Sequence, residues 1–150
     1  MRGVEVEAKL NLDGGLDIIG SYTYLDSEIT ESNNDDLGMP LYFTPRHQFA
    51  LWANYTLQGG PLAGLGMGAG IRHRGKVWGS SYEIEVPSHT LVDAALSYDF
   101  GKANSQWRGL TLTLSARNLL DKEYLSNCSY WEGCFYGEGR TVNATLKYKW

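Results

Sequence analysis

No stretch of this sequence approaches the ~20 consecutive apolar residues that a membrane-spanning helix requires, so a helical membrane protein is excluded. A membrane β-barrel is not, because its strands show only alternating segments of about 10 residues. Proline is scarce, with four residues against eighteen glycines, a balance that suits strands and tight turns and not disorder. There are two cysteines and three histidines, and none of the histidines lies near the cysteines, which leaves a zinc site without a ligand set. An excess of positive charge is also missing. The formal net charge of -4 gives no polybasic footprint, so nucleic acid is not the expected partner. The opening "MRGVEVEAKL" has two glutamates and no apolar centre, and so does not read as a signal peptide. The chain is then either cytosolic or a piece of something longer. No nucleophile, base and orienting group form a catalytic set, and the chain is read as a non-enzyme with no cofactor bound directly.

What is present is alternation. Val4, Val6, Ala8, Leu10 and Leu12 fall on one face of the first strand, and Glu5, Glu7, Lys9 and Asn11 on the other. After "DGG", a turn signal, Leu16, Ile18, Gly20, Tyr22 and Tyr24 share a side. The pattern resumes with Phe49, Leu51, Ala53, Tyr55 and Leu57, opposed by Gln48, Ala50, Trp52, Asn54 and Thr56. It continues through Leu65, Met67, Ala69 and Ile71, then Val92, Ala94, Leu96, Tyr98 and Phe100, then Leu110, Leu112, Leu114 and Ala116. The last stretch, "TVNATLKYKW", sets Val142, Ala144, Leu146, Tyr148 and Trp150 against Thr141, Asn143, Thr145, Lys147 and Lys149.

These patterns predict an all-β antiparallel meander of about seven strands, with no helix. The links at 13–15, 59–64 and 101–109 are short or modest, while those at 31–44, 79–87 and 119–138 are mostly longer and richer in polar and aromatic residues. Short turns at one end and long loops at the other are the asymmetry of outer-membrane barrels, whose short turns are periplasmic. Ten tyrosines and five tryptophans outnumber four phenylalanines, favouring rings with a polar tip, the kind that gathers at membrane interfaces. Tyr22, Tyr24, Tyr55, Trp78, Tyr98, Tyr148 and Trp150 lie near strand ends and are expected in such girdles. A soluble antiparallel sandwich alternates too. The repeated charged face and the loop asymmetry favour the barrel.

Five stretches go beyond pattern. "ARNLLDKEY" (116–124) resembles the motif that precedes the last external loop of TonB-dependent outer-membrane receptors. "TPRHQFALWANY" (44–55) and "RGVEVEAKL" (2–10) are similar to barrel strands of the same family. "YTLQGGPLAGLGMGAGIRHRG" and the closing "C-x5-C-F-Y-G-E-G-R" resemble the ferrichrome-type branch, which handles hydroxamate siderophores. The resemblance covers essentially the whole chain. It implies a 22-stranded transmembrane barrel in the outer membrane, filled by an N-terminal plug domain and importing a ferric siderophore with energy passed on by TonB. Residues 1–150 would be the C-terminal part of that barrel, without plug or signal peptide. Seven strands leave two open edges and an odd count, where bacterial single-chain barrels use even numbers, so a fragment is expected. The terminal aromatics Tyr148 and Trp150 would serve the barrel assembly machinery as an insertion signal. A small structural or adhesive outer-membrane barrel is the rival reading, and a soluble β-sandwich binding module stands further off.

The same resemblance bears on individual residues. Cys128 and Cys134 would face the oxidising exterior and pair as a disulfide, as the branch's spacing implies. Tyr130, Trp131, Phe135 and Tyr136 surround that staple and are candidate contacts to the siderophore, against the plainer reading of an aromatic belt or loop packing. Ser129 follows the first cysteine where the ferrichrome pattern leads one to expect an aromatic, so Tyr130 or Trp131 would take over that contact. The glycines of "GLGMGAG" (64–70) alternate instead of following G-x-G-x-x-G. They are expected on the inner face, admitting another backbone, with the plug as the natural neighbour. Arg72, Arg74, Arg117 and Arg140 project inward, toward the plug or into a charge network with Asp93, Asp99 and Glu138. The acidic stretch 26–36 lacks EF-hand spacing and reads as a solvated loop. No metal ligands are assigned.

Overall fold

The computed structural model describes residues 1–150. Seven long strands form one antiparallel sheet: β1 (Arg2–Leu12), β2 (Leu16–Asp26), β3 (His47–Thr56), β4 (Leu65–Arg74), β7 (His89–Asp99), β8 (Leu110–Arg117) and β11 (Thr141–Tyr148), each beside its predecessor in that order. Two small hairpins stand in the long loops, β5 (Val77–Trp78) with β6 (Glu85–Val86), and β9 (Leu125–Ser129) with β10 (Gly133–Tyr136). Neither is apparent from periodicity, since strands of two to five residues show too little alternation to read. The turn after β7 holds a single helical turn, α1 (Phe100–Ala103), in which Gly101 N–H donates to the Asp99 carboxylate.

The period-2 pattern fixes the register, because a one-residue slip would turn every apolar side chain to the opposite face. Leu10, Ile18, Ala53, Ala69, Ala94, Ala116 and Val142 are directly opposite one another, pair by pair, across all seven strands. The rows on either side, such as Leu51–Ile71–Val92 and Tyr55–Met67–Leu96–Leu114, complete a continuous apolar surface. Gly14 and Gly15 make the first turn possible, each at a φ near +90° that a side chain disfavours (92° and 93°).

Nothing covers that surface. Only 9 of 150 residues are buried, and the buried apolar ones are Val77, Val86, Leu91 and Cys128, at the loop end of the sheet. A β-sandwich would bury its apolar face under a second sheet, so that reading is corrected: there is one layer. Leu51, Leu96 and Leu146 stay about half exposed or more, which suits a solvent of lipid and not water. β1 and β11 are both edges, each paired on one side only. Exposed ladder edges are not tolerated in hydrocarbon, so the sheet is an arc of a larger closed wall.

The opposite face is mostly polar, and one aromatic side chain organises its middle. Trp52 lies flat over the glycines of β4. An added Cβ at Gly68 would overlap the edge of its indole, and one at Gly70 would come within 2.5 Å of it. The glycines were expected to admit another backbone or allow local bending. What fills the space at Gly68 and Gly70 is this side chain, and at Gly66 the Ser97 hydroxyl.

Candidate functional site

All three long loops, 27–46, 75–88 and 118–140, rise at the same end of the sheet, and they are joined to one another. Val77, Val86 and Cys128 form a small core with Ile84 and Leu125 packed against it, uniting the β5–β6 and β9–β10 hairpins. Ser80 N–H donates to the Cys128 carbonyl (3.1 Å), and Tyr130 N–H donates to Ser80 Oγ (2.6 Å). The first loop joins through Phe43 N–H to the Trp78 carbonyl (2.8 Å) and Tyr82 O–H to the Pro40 carbonyl (2.9 Å). Trp78, expected among the strand-end rings, sits instead in this assembly, edge-on to Tyr82 at 6.1 Å.

Arg74, the last residue of β4, ties the assembly to the barrel wall. Its guanidinium donates to the Phe43 carbonyl (2.9 Å) and to the Ser126 carbonyl (3.1 Å). One planar fork with five donors can span two loops in a way that a lysine could not.

Cys128 and Cys134 are bonded as a disulfide and stand opposite each other on β9 and β10, their Cα atoms 4.0 Å apart. Cys128 is fully buried in the small core while its partner is exposed. The bridge therefore fixes the hairpin to the loops beneath it. It closes a short loop, so its stabilisation sits near the lower end of ~2–4 kcal/mol.

The four candidate rings do not converge on one point. Tyr130 and Trp131 meet edge-to-face at 5.1 Å at the hairpin tip, where Trp131 is 89% exposed. Phe135 and Tyr136 follow on β10, both exposed. Of the four, Tyr136 lines the polar cleft of about 250 Å³ above the inner wall, with Tyr124, Arg72, Arg117 and Glu138. Tyr124 was not anticipated. Its ring occupies the place of a missing side chain at Gly137 and lies tilted against His89, ring centroids 4.2 Å apart. The available signal was a tyrosine ending "ARNLLDKEY", close to the hairpin.

That motif proves to be a clamp on the last loop. Asn118 is buried in a left-handed conformation (φ 48°). Its side-chain amide donates to the carbonyls of Lys122 (2.9 Å) and Glu138 (3.1 Å), and its Oδ1 accepts from Lys122 N–H (2.9 Å). Asp121 accepts from Arg140 N–H (2.7 Å). The two ends of the loop are thus pinned by two short polar side chains able to adopt that conformation. Asn118 N–H in turn donates to Asp93 Oδ1 (2.9 Å), an oxygen that also accepts from Arg72 Nη2 (3.0 Å), while Arg72 Nε donates to the other carboxylate oxygen.

Of the expected inward charge network one pair forms, Arg72 with Asp93; Arg140 pairs instead with Asp121, and Arg74 binds carbonyls. Arg117 faces the cleft without an ion pair. Tyr148 and Trp150 stand at the opposite, turn end of the sheet, 6.4 Å apart and strongly exposed.

Comparison with known proteins accords with this geometry. The family model described as "TonB dependent receptor-like, beta-barrel" matches residues 1–119. The chain is 39% identical over 149 residues to the "Ferrichrome outer membrane transporter/phage receptor" of Escherichia coli K12, covering 99% of this chain and 20% of that protein. It is 31% identical over 148 residues to the "Ferrioxamine B receptor" of Salmonella typhimurium SL1344, covering 98% and 21%. A catecholate siderophore receptor of Escherichia coli is also similar. The crystal structure of the siderophore receptor PiuA from Acinetobacter baumannii superposes with a TM-score of 0.79 at 27% identity, over 99% of this chain and 21% of that one. The chain thus spans about a fifth of the length of the relatives it matches. One uncovered apolar face, two open edges and long loops gathered at one end are what a section of barrel wall requires, and this chain belongs to the TonB-dependent receptor β-barrel family of the outer membrane.

Proposed function

We propose that this chain is the C-terminal wall of a receptor that imports a ferric siderophore of the hydroxamate type, energised through TonB. The observation that carries the reading is the stapled hairpin β9–β10. It presents Tyr130, Trp131, Phe135 and Tyr136 above the inner wall, on a base shared with the other two loops. Ferric hydroxamates offer apolar backbones around a compact metal centre, and exposed rings on a fixed support bind such cargo by stacking and contact. The similarity to ferrichrome and ferrioxamine B receptors supports the hydroxamate class. Iron is cargo here and not a resident cofactor. The receptor's own plug would fill the polar side of the arc, and TonB would act on it from the periplasm. Tyr148 and Trp150, at the turn end, would be read by the barrel assembly machinery.

The test is iron uptake by the full-length receptor in a host lacking its own siderophore receptors. Radioactive iron should enter from ferrichrome and ferrioxamine B, and not from a tris-catecholate. Trp131→Ala with Tyr136→Ala should weaken binding by roughly tenfold, about 1.4 kcal/mol. Uptake from the catecholate alone would overturn the hydroxamate class. Uptake from none would overturn the receptor reading itself.

A further inference from the structure

The ladder between β7 and β8 runs only as far as Ala94 opposite Ala116. Beyond it Leu119 N–H still donates to the Val92 carbonyl (2.7 Å), and the Asn118 N–H in between needs another acceptor. Asn118 is 2% exposed, so leaving that donor unpaired would be costly. Asp93 supplies the acceptor through its side chain. Its carboxylate is oriented in turn by Arg72 Nε and Nη2, reaching diagonally across the β4–β7 ladder, where Arg72 stands opposite Leu91 and Asp93 opposite Gly70. Two charge-assisted bonds from one planar fork fix both the place and the plane of the carboxylate.

Asn118 passes that position on. Its side chain holds Lys122 and Glu138, the residues at the two feet of the β9–β10 hairpin. Gly137 N–H donates to the Tyr124 carbonyl (2.8 Å) and joins the feet directly. The hairpin that carries Tyr130, Trp131, Phe135 and Tyr136 therefore stands on one asparagine, and that asparagine's amide rests on one carboxylate of the wall. The Asp93 side chain is only 14% exposed, a burial that the remainder of a barrel can only deepen, so it acts through its place and not by touching cargo at the loop tips. Every contact in this path lies within the chain and stands whatever fills the barrel.

We propose that Asp93 is a positioning residue for cargo, setting the height and tilt of the ring-bearing hairpin through the amide of Asn118. The inference rests on the reading that this hairpin contacts a ferric hydroxamate. It is tested by uptake of radioactive iron from ferrichrome into cells carrying the full-length receptor. Asp93→Leu, which removes the acceptor, should raise the half-saturating concentration by roughly tenfold while the maximal rate per receptor changes little, the pattern of lost binding. Poor folding alone would lower the maximal rate and leave half-saturation where it was. Asp93→Asn keeps an oxygen for the Asn118 amide and should recover most of the lost affinity. The exchange Arg72→Asp with Asp93→Arg restores a pair of opposite charges across the strands but turns a cation toward that amide, and its affinity should stay low. Hydrogen exchange at Asn118 and Gly137 should quicken in Asp93→Leu, with the rest of the β7–β8 ladder unchanged. Wild-type affinity in Asp93→Leu, equal loss in Asp93→Asn, or full recovery in the charge exchange overturns the inference, as does unaltered exchange at Asn118. A receptor that takes up ferrichrome yet fails these tests refutes this inference alone, whereas a wild type that takes up no ferric hydroxamate refutes the cargo reading and this inference with it.

Discussion

Asn118 and Glu138, twenty residues apart, share a hydrogen bond of 3.1 Å from the asparagine amide to the glutamate carbonyl, and that bond closes the last loop onto its own beginning. Asn118→Ala would remove it together with both bonds to Lys122. At about 1 kcal/mol each, the loss should be about 2–3 kcal/mol, concentrated in the loop and not in the sheet. Trypsin applied to intact cells should then cut at Lys122 or Arg140 faster than in the wild type, with the barrel still resistant.

Gly68 is required by Trp52. The atoms that a Cβ at position 68 would meet all belong to side chains, those of Trp52 and Asn54, so the obstruction can be removed genetically. Gly68→Ala should destabilise the folded barrel by about 1–3 kcal/mol through overpacking. In a Trp52→Ala background the same change should cost little. Urea midpoints of the four proteins of this double-mutant cycle give the coupling.

The buried half of the disulfide predicts a specific chemical behaviour. Within residues 1–150, an alkylating reagent should label no thiol in the oxidised protein and only Cys134 after mild reduction without denaturant, because Cys128 is fully buried. Replacing both cysteines by serine should loosen the β9–β10 hairpin and raise hydrogen exchange at Ser80 and Tyr130, whose amides bond across this junction.

Tyr82 gives a signature in alkali. Burial pushes its phenol up to about 12, and the neighbouring Tyr42, with its ring 4.6 Å away, adds to the effect. A raised acid favours the neutral form in the folded state, so its contribution to stability is complete below the ordinary tyrosine value near 10. That contribution is lost as pH rises through about 12. The difference between ultraviolet titrations of the wild type and Tyr82→Phe should be a single phenol that ionises late.

The strands were legible because alternation is a local property. Val142, Ala144, Leu146 and Tyr148 announce their shared face with no knowledge of what lies beside them, and the turn after Leu12 announces its partner. The loop end was less legible, because its order comes from contacts between distant segments. Nothing in "HRGKVWGSSYEIEV" shows that Val77 and Val86 will enclose Cys128, since each strand there has two residues. The inner wall was half legible. The glycines of β4 advertised missing side chains, but the choice of Trp52 to fill them depends on the β3–β4 register, in which Trp52 stands opposite Gly70. At the site, the disulfide pair could be named from its spacing and resemblance. Tyr124 could not, since its position depends on the gap at Gly137.

Arg74 has a consequence for how the mouth can move. Because one guanidinium holds carbonyls from both the first and the last long loop, and the middle loop is packed against each of them, the three loops are mechanically one body. Any displacement of one is transmitted to the others, and a substitution at Arg74 would uncouple the set instead of merely softening one member.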